Sequence, residues 1–253
     1  MNEADRLQDD LNALSSWCNE WGMLFNVSKC QIMHYGKNNP RYLYHINGTL
    51  LSETKTYKDL GVNISNDLKV KHHIDICVAE ANGILGMIKR TFNHIDKDIF
   101  LMTYKTFVRP ILEYCQEIWS PYLVKDIEKI ESVQRRATKL VPQIKHLSYE
   151  ERIKSLDLFT LSERSTRGDM ISMYKIMYGI YDIEPTHFFK PNASITRGHK
   201  FKLYPTKSNT DIRRNFFTQR SIVPWNNIPE YVILSKTVSN FKRNYDNYIR
   251  NKI

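Results

Sequence analysis

The sequence predicts an α+β fold that is mostly α, with a small antiparallel β portion followed by helical regions. Three observations lead to this prediction. Apolar residues recur at helical spacing near the N-terminus, short alternating stretches surround an Asn47-Gly48 turn, and helical spacing resumes from about residue 69. These changes of period divide the chain into a β-containing region 1–68, a helical region 69–145 and a basic, mostly helical region 146–253.

The first predicted helix spans residues 4–21 and ends at Gly22, a residue that often terminates helices. Asp9 and Asp10 lie inside it, and neighbouring helix positions do not converge on one metal ion, so both are predicted to face solvent. Apolar residues three or four positions apart predict one buried face, formed by Leu7, Leu11, Leu14, Trp17, Cys18 and Trp21.

The β portion is predicted from three extended stretches and one turn. Residues 31–35 alternate loosely, residues 42–46 form a second strand, and Asn47-Gly48 is a strong hairpin signal that returns the chain along residues 49–51. Residues 57–64 are the third extended stretch.

The helical region begins with an amphipathic helix and continues with two more, which are expected to pack as a bundle. The second runs from Asp98 to about Trp119 and should be kinked or split at Pro110. The third covers residues 123–141. The buried stripe of the first is predicted to contain Ile74, Cys77, Val78, Ala81, Ile84, Leu85 and Ile88.

The basic region contains predicted helices at 148–156, 160–180 and 236–250. Residues 185–221 show no clear period and are predicted to be loop and short strand. Positive charge accumulates toward this end: the net charge is −2 for residues 1–68, +4 for 69–145 and +8 for 146–253. Within 187–220, eight basic residues accompany a single acid. Such a surface favours phosphate backbones.

The sequence also excludes several classes of protein and site. It has no apolar run of about 18 residues, so no membrane span is expected, and an acidic N-terminus without an apolar signal core predicts an intracellular protein, nuclear or cytoplasmic. The four cysteines show no tight spacing and are expected to be reduced thiols. His45, His72 and His73 lack a third ligand at metal spacing. No phosphate-binding loop or nucleophile elbow is present.

Several segments, in order, resemble the reverse transcriptases of non-LTR retrotransposons of the jockey and CR1 type. LQDDLNALSSWCNEWGMLFNVSKC is similar to the segment that follows that family's aspartate box, with the pattern L-x-x-D-L-x-x-L-x-x-W and then W-x-M-x-F-N-x-x-K-C. KDLGV at residues 58–62 resembles the primer-grip box. ANGILGMIKRTF, YKTFVRPILEYCQEIWSP and DIEKIESVQRRATKLV resemble the thumb helices, and FFTQRSIVPWNNIP resembles the C-terminal region.

The resemblance implies a palm remnant in 1–68, a thumb in 69–145 and a basic C-terminal region, with RNA, RNA–DNA or DNA duplex as the partner. Lys29 matches a lysine thought to protonate the pyrophosphate leaving group, although a surface lysine is the preferred interpretation for this chain. The primer-grip box is expected to sit on a hairpin, with Leu60 and Val62 in the core and the Gly61 backbone as the contact, beside Lys58 and Asp59. The candidate phosphate contacts are Lys89, Arg90, Lys105, Arg109, Arg135, Arg136 and Lys139.

In that family the catalytic aspartates precede the segment that matches the first helix here. The resemblance therefore implies a truncated copy without catalytic residues or metal ligands, which is not expected to polymerise DNA alone. Mg²⁺ would be needed only by the complete polymerase, and no cofactor is expected in this chain. The palm surface exposed by truncation should be apolar and promote association. A domesticated nucleic-acid-binding module, a pseudogene product and an enzyme completed in trans are the alternatives.

Overall fold

The computed structural model describes residues 3–36, 38–192 and 198–252. It is 57% helix and 7% strand, which confirms the mostly helical α+β class. The chain divides into two compact units, Met1–His72 and His73–Ile253. No helix in the described ranges is both long and apolar enough to span a membrane.

The first unit contains one long helix, a short 3-10 turn and three two-stranded pairs. Two pairs are antiparallel as predicted, β2 with β3 and β5 with β6, whereas β1 and β4 pair in parallel. The elements are α1 (Glu3–Glu20), the 3-10 turn Val27–Lys29, β1 (Gln31–Ile32), β2 (His45–Ile46), β3 (Thr49–Leu50), β4 (Ser52–Glu53), β5 (Thr56–Asp59) and β6 (Val62–Ser65).

Two tight turns shape these strands; the local sequence pattern predicts the first, and the family resemblance implies the second. Asn47-Gly48 joins β2 to β3 with φ of 50° and 73°, the positive values that a two-residue hairpin turn requires. Leu60-Gly61 joins β5 to β6 in the same way, with φ of 43° and 88°. The prediction of one extended stretch over 57–64 is therefore wrong. Leucine rarely adopts positive φ, so its presence gives no sign of a turn.

The core of the first unit lies where α1 meets the β2–β3 hairpin. Gln8 of α1 binds the hairpin edge: its Nε2 donates to the His45 carbonyl, and its Oε1 accepts from the His45 N–H, both at 2.9 Å. The buried cluster beside this contact consists of Ala4, Tyr44, Ile46 and Leu51.

The buried face of α1 differs from the predicted stripe. Cys18 is buried and Leu11 packs on the core, but the helix also buries the small residues Ala4 and Ser15. The four large residues of the predicted stripe that are exposed are Leu7, Leu14, Trp17 and Trp21. Helical spacing identifies an apolar face, but which part of that face is covered depends on tertiary packing.

The second unit is almost entirely helical. Its elements are α2 (Lys71–Thr91), α3 (Lys97–Thr103), the π-helical turn Tyr104–Val108, α4 (Arg109–Glu113), α5 (Gln116–Trp119), α6 (Val124–Thr138), the 3-10 turn Pro142–Ile144, α7 (Tyr149–Ser155), α8 (Leu161–Met177), the 3-10 turn Pro185–His187, α9 (Asp211–Arg214), α10 (Phe217–Arg220), α11 (Ile222–Asn226), α12 (Glu230–Ile233) and α13 (Val238–Arg250).

Pro110 changes the helix before it rather than ending it. The five residues Tyr104–Val108 form a π-helical turn, and Pro110 occupies the first turn of α4. Proline lacks an N–H, so it cannot bond the carbonyl four residues back, and a wider turn accommodates the defect. The actual break comes at Cys115, whose φ is 53°. The predicted interruption at Pro110 takes the form of the π-helical turn, and the helix is divided at Cys115.

The main core of the second unit surrounds α8. Tyr174 stacks on Phe241 of α13, with ring centroids 4.4 Å apart, and Phe241 stacks on Tyr245.

Capping boxes at Ser148 and Thr160 start α7 and α8, near where the sequence places these helices. In 185–221, the prediction of loop and short strand is right for the isolated bridge Pro191–Leu203 but misses α9 and α10. Arg197, one of the basic residues counted there, lies outside the described residues.

A partly buried arginine, paired with a buried aspartate, joins three helices of this unit. Arg220 of α10 donates from Nε and Nη2 to both carboxylate oxygens of Asp169 on α8, at 2.8 and 2.9 Å. Its Nη2 also approaches the carbonyl oxygens of Gln116 and Glu117 in α5, at 3.0 and 3.2 Å. Burial raises the pKa of Asp169, and the hydrogen bonds and positive charge of Arg220 act in the opposite direction. Removing either partner would leave a buried charge without compensation.

We expect Arg220→Ala to lower the free energy of unfolding by about 3–5 kcal/mol, as for other broken buried ion pairs. The matched control is Arg214→Ala, which removes an exposed pair with Asp211 and should cost at most about 1 kcal/mol. Urea denaturation followed by circular dichroism measures both. Equal losses for the two variants would contradict the role assigned to Arg220.

Candidate nucleic-acid interface

Helices α2 and α6 lie side by side in the second unit and run in the same direction. Lys129 forms an ion pair with Asp75. Further along both helices, Arg136 Nη1 donates to Asn82 Oδ1 at 2.7 Å. The number of residues from Asp75 to Asn82 equals the number from Lys129 to Arg136, and it corresponds to about two helical turns. The basic residues that follow these contacts in α2 and α6 therefore lie at the same end of the helix pair.

A cleft of about 660 Å³ opens at this end, between the last turns of α2 and α6 and the segments that follow them. Its described lining contains four basic residues, Lys89, Arg136, Lys139 and Lys145, and no acidic residue. Four cations in a described lining that contains no carboxylate create a local positive potential suited to an anionic ligand. Lysine and arginine side chains in such a site would bind phosphate oxygens without distinguishing bases.

A buried polar network holds α6 in position beneath the cleft. Gln134 is fully buried; its Oε1 accepts from the Tyr104 hydroxyl at 2.6 Å, and its Nε2 donates to Tyr149 Oη and to the Phe159 carbonyl, both at 2.9 Å. The Tyr149 hydroxyl donates to Glu131. Burial raises the pKa of the Glu131 carboxyl, although its hydrogen bonds lower it. The residues exposed on the opposite side of α6, including Arg136, are consequently fixed in direction.

The cleft cations also have a local structural role. Lys89 and Arg90 occupy the last turn of α2, and Arg135 and Arg136 occupy the last turn of α6. The carbonyl ends of helices carry partial negative charge, and a cation there typically stabilises a helix by about 0.3–1 kcal/mol. Helix stabilisation and phosphate binding therefore favour the same residue types at these positions.

The predicted phosphate contacts do not all lie together. Lys89, Arg136 and Lys139 line the cleft, whereas Arg90 and Lys105 are exposed but are not part of its lining. The Arg135 guanidinium lies 5.3 Å from the ring centroid of Tyr149. A cation–π contact of this kind keeps the charge near the surface.

Arg109 is a structural residue in this arrangement. It is half-buried, and its Nε lies 3.6 Å from Glu113 Oε1, which also binds Arg164. Burial and the neighbouring Arg164 cation lower the pKa of the Arg109 guanidinium. The expectation that Arg109 contacts phosphate does not fit this position, because its charge is directed toward an internal carboxylate.

In the first unit, the motif lysine and one primer-grip candidate, Asp59, share a second cleft of about 490 Å³. Lys29, at the end of the 3-10 turn, lines it together with Tyr57 and Asp59 of β5. Lys58 and Asp59 pair across the hairpin with Asn63 and Val62. The structure thus brings Lys29 and Asp59 to one place, although the sequence separates them by a strand pair.

The expected environment of the primer-grip box is correct at only one of its two apolar positions. Val62 is 4% exposed and belongs to the core, but Leu60 is 85% exposed at the tip of the β5–β6 turn. The prediction of Leu60 as core is wrong, because it assumes a continuous strand in which Leu60 and Val62 share a face. Gly61 completes the turn, so its backbone is at an exposed hairpin tip.

Asp9 and Asp10 lie on the exposed side of α1, as predicted for adjacent helix positions. His73 is buried, with its Nε2 3.4 Å from Cys77 Sγ and its ring edge-on to Trp119, while His45 and His72 are exposed. Within the described ranges, no group of three or more His, Cys, Asp or Glu side chains could hold a metal ion.

Two residues of the basic cleft are missed by sequence reasoning. Lys145 follows a 3-10 turn beyond the end of α6 and has no helical spacing to associate it with Lys139. Asn82 is a neutral side chain that orients Arg136. A cluster of cations around Pro142, just after a basic helix end, is the one sequence signal that could have identified Lys145.

Comparison with known proteins gives one informative similarity. The chain is 26% identical over 147 residues to the RNA-directed DNA polymerase from mobile element jockey of Drosophila funebris. This match covers 54% of the chain and 15% of that polymerase, so the chain spans a small part of its relative's length. No family model and no solved structure matches the chain. The similarity supports a relationship to reverse transcriptases.

We expect Arg109→Ala to lower the free energy of unfolding by about 1–2 kcal/mol, since it removes a half-buried partner of Glu113. Lys105→Ala changes an exposed residue one turn earlier and should have an effect within about 0.5 kcal/mol. Both variants should bind nucleic acid as the unmodified chain does. Urea denaturation and fluorescence anisotropy measure these properties, and a binding defect confined to Arg109→Ala would contradict the structural role.

We expect Leu60→Asn to leave the β5–β6 hairpin as stable as before or slightly more stable, because Asn adopts positive φ more readily than Leu. Val62→Ala should destabilise the hairpin by about 1–3 kcal/mol through lost burial. Amide hydrogen exchange at Tyr57 and Ile64, which face each other at a hydrogen-bonded pair of the hairpin, reports both changes. Faster exchange in Leu60→Asn than in Val62→Ala would show that Leu60 is not a turn residue of this kind.

Proposed function

We propose that the chain corresponds to the C-terminal portion of a non-LTR retrotransposon reverse transcriptase and holds template–primer duplex. In this proposal, the first unit contributes the end of the palm and the primer grip, and the helices around α2 and α6 form the thumb. The observation that carries the proposal is the basic cleft, which combines Lys89, Arg136, Lys139 and Lys145 without a described acidic neighbour. The similarity to the jockey polymerase also supports this proposal.

The cleft favours phosphate as the ligand because four of the six polar side chains in its described lining are cations. Duplex backbones present regularly spaced phosphates, and neutralising them releases condensed counterions. The parallel helices α2 and α6 would present their cations along such a backbone without contacting base edges. The resulting binding is insensitive to sequence, a property that tracking along a duplex during synthesis requires.

The first unit would act beside the primer in this proposal. The exposed tip at Leu60-Gly61 and the cleft containing Lys29 and Asp59 are its candidate contacts. The Gly61 backbone at the tip could approach a sugar–phosphate closely because glycine has no side chain. Lys29 would supply a cation in the same cleft, and chemistry at the 3′ end would need the metal-binding aspartates and Mg²⁺ of the complete polymerase.

The electrostatic contribution can be estimated from the number of cations. Four phosphate contacts would give a salt slope of about −3.6 on B-form DNA, or roughly a 100-fold loss of affinity between 50 and 200 mM salt. Further contacts outside the cleft would steepen this dependence.

The test is charge reversal in the cleft with a control of equal net charge. Lys139→Glu/Lys145→Glu should weaken binding to an RNA–DNA duplex by about tenfold or more and make the salt slope shallower by about two. Lys236→Glu/Lys242→Glu, at exposed positions of α13 and the segment before it, should change neither property substantially. Fluorescence anisotropy titrations over a range of salt concentrations measure affinity and slope together.

Scrambled duplex sequences extend this test. Binding should be equal for unrelated sequences, and the cleft variant should weaken all of them by the same factor. Equal losses in the cleft variant and the control variant would show that only net charge matters and would refute the cleft as the site. Strong discrimination between scrambled duplexes would instead indicate a sequence-specific binder.

A further inference from the structure

The basic segment after α8 contains an ordered surface separate from the cleft. Residues 190–192 and 202–204 form a short antiparallel ladder, with the Tyr204 N–H donating to the Lys190 carbonyl at 2.7 Å and the Asn192 N–H to the Lys202 carbonyl at 2.9 Å. Leu203 is buried, so the side chains that alternate with it point to the outer face of the ladder. Lys190, Lys202 and Tyr204 therefore lie on that outer face.

This ladder is fixed to the helical core. The Asn226 side chain bonds both backbone groups of Leu203, donating to its carbonyl at 2.7 Å and accepting from its N–H at 2.9 Å. The Trp225 indole N–H donates to the Phe201 carbonyl at 2.8 Å. A surface held by buried side chains of α11 is preorganised, so little ordering entropy would be lost when it binds a ligand.

Two contacts bring α10 next to the ladder. The rings of Phe189 and Phe217 meet edge to face at 6.3 Å, and the Thr206 hydroxyl bonds Gln219 at 2.8 Å. The residues that precede these two rings, Phe188 and Phe216, are exposed instead. Phe188, Phe216 and Tyr204 each lie within two residues of a residue that forms one of these contacts, so all three are near the junction of the ladder and α10.

Three large aromatic rings are exposed here in a basic environment. Phe188, Tyr204 and Phe216 are 51%, 54% and 43% exposed. The Arg213 guanidinium lies 5.7 Å from the Phe216 ring centroid. We define the ladder surface by Phe188, Lys190, Lys202, Tyr204, Arg213 and Phe216.

We propose that the ladder surface binds single-stranded nucleic acid, with bases stacked on its aromatic rings and phosphates near its cations. Exposed rings gain little from a duplex exterior, where the base faces are covered by neighbouring pairs, but each unpaired base offers a free face. Interleaved cations neutralise the backbone that connects those bases. This proposal uses residues other than those of the duplex cleft and does not depend on it.

The experiment measures binding of the full chain to an unstructured RNA of about 16 nucleotides, the upper range for one single-strand-binding fold. Phe188→Ala/Tyr204→Ala/Phe216→Ala should lose at least about tenfold in affinity. Its salt slope should not change, since the rings carry no charge, and its duplex affinity should stay the same. The matched control is Tyr231→Ala, an exposed aromatic of α12, which should bind both ligands normally.

A second variant separates stacking from folding. Phe188→Trp/Tyr204→Trp/Phe216→Trp keeps a flat ring at each position and should retain single-strand binding, while circular dichroism compares the fold of all variants. Unchanged single-strand affinity in the alanine variant would overturn the proposal. So would an equal loss on duplex, or complete competition by a polyglutamate peptide at matched charge, since either result would indicate a charged surface without base stacking.

Discussion

The buried Gln134 amide is the constraint on which the arrangement around α6 depends. Its oxygen and nitrogen bond groups from three different segments, at Tyr104, Tyr149 and Phe159, and Glu131 one turn earlier accepts from Tyr149 and from the Leu161 N–H. A buried amide gains stability only when its bonds are made in the right geometry, because an unmade bond costs about 1–3 kcal/mol. The network therefore permits one rotation of α6 about its own axis. That rotation places Arg136 and Lys139 over the cleft and Ile130 and Val133 in the core.

The cleft and the ladder surface rely on different physical interactions, although both are basic. The cleft gathers cations at the carbonyl ends of two helices, where helix dipoles already favour positive charge. The ladder surface is supported by side chains of α11 and α10 and adds exposed rings. Under the proposed function, paired and unpaired strands are both ligands, so two surfaces with different preferences are compatible with that one proposed role. Separating charge from stacking also means that salt affects the two surfaces to different degrees.

The sequence predicts those parts of this fold that are determined locally. Helical spacing locates α1, α2 and α6, the Asn47-Gly48 dipeptide locates the first hairpin, and the helix starts near Ser148 and Thr160 agree with their capping boxes. It fails where local preference is overridden. Leu60 adopts a turn conformation that leucine disfavours. Cys115 ends a helix by adopting positive φ, although neither it nor the residue on either side of it is glycine or proline.

In the candidate site, too, sequence predicts the features that are determined locally and misses those that depend on tertiary packing. Lys89, Arg136 and Lys139 are recognisable as helix-end cations, but Lys145 joins them only through tertiary packing, and Arg109 is diverted by Glu113 and Arg164.

The π-helical turn Tyr104–Val108 has a consequence for how this chain tolerates change in length. A π turn is equivalent to one residue inserted into an α-helix, and each residue rotates the remainder of the helix by about 100°. The segment before Pro110 thus absorbs one extra residue: losing one residue there would restore regular helix geometry with little change in the direction of the buried Leu112 and the Glu113 carboxylate, whereas losing one from a regular helix such as α6 would turn the residues that follow by about 100°.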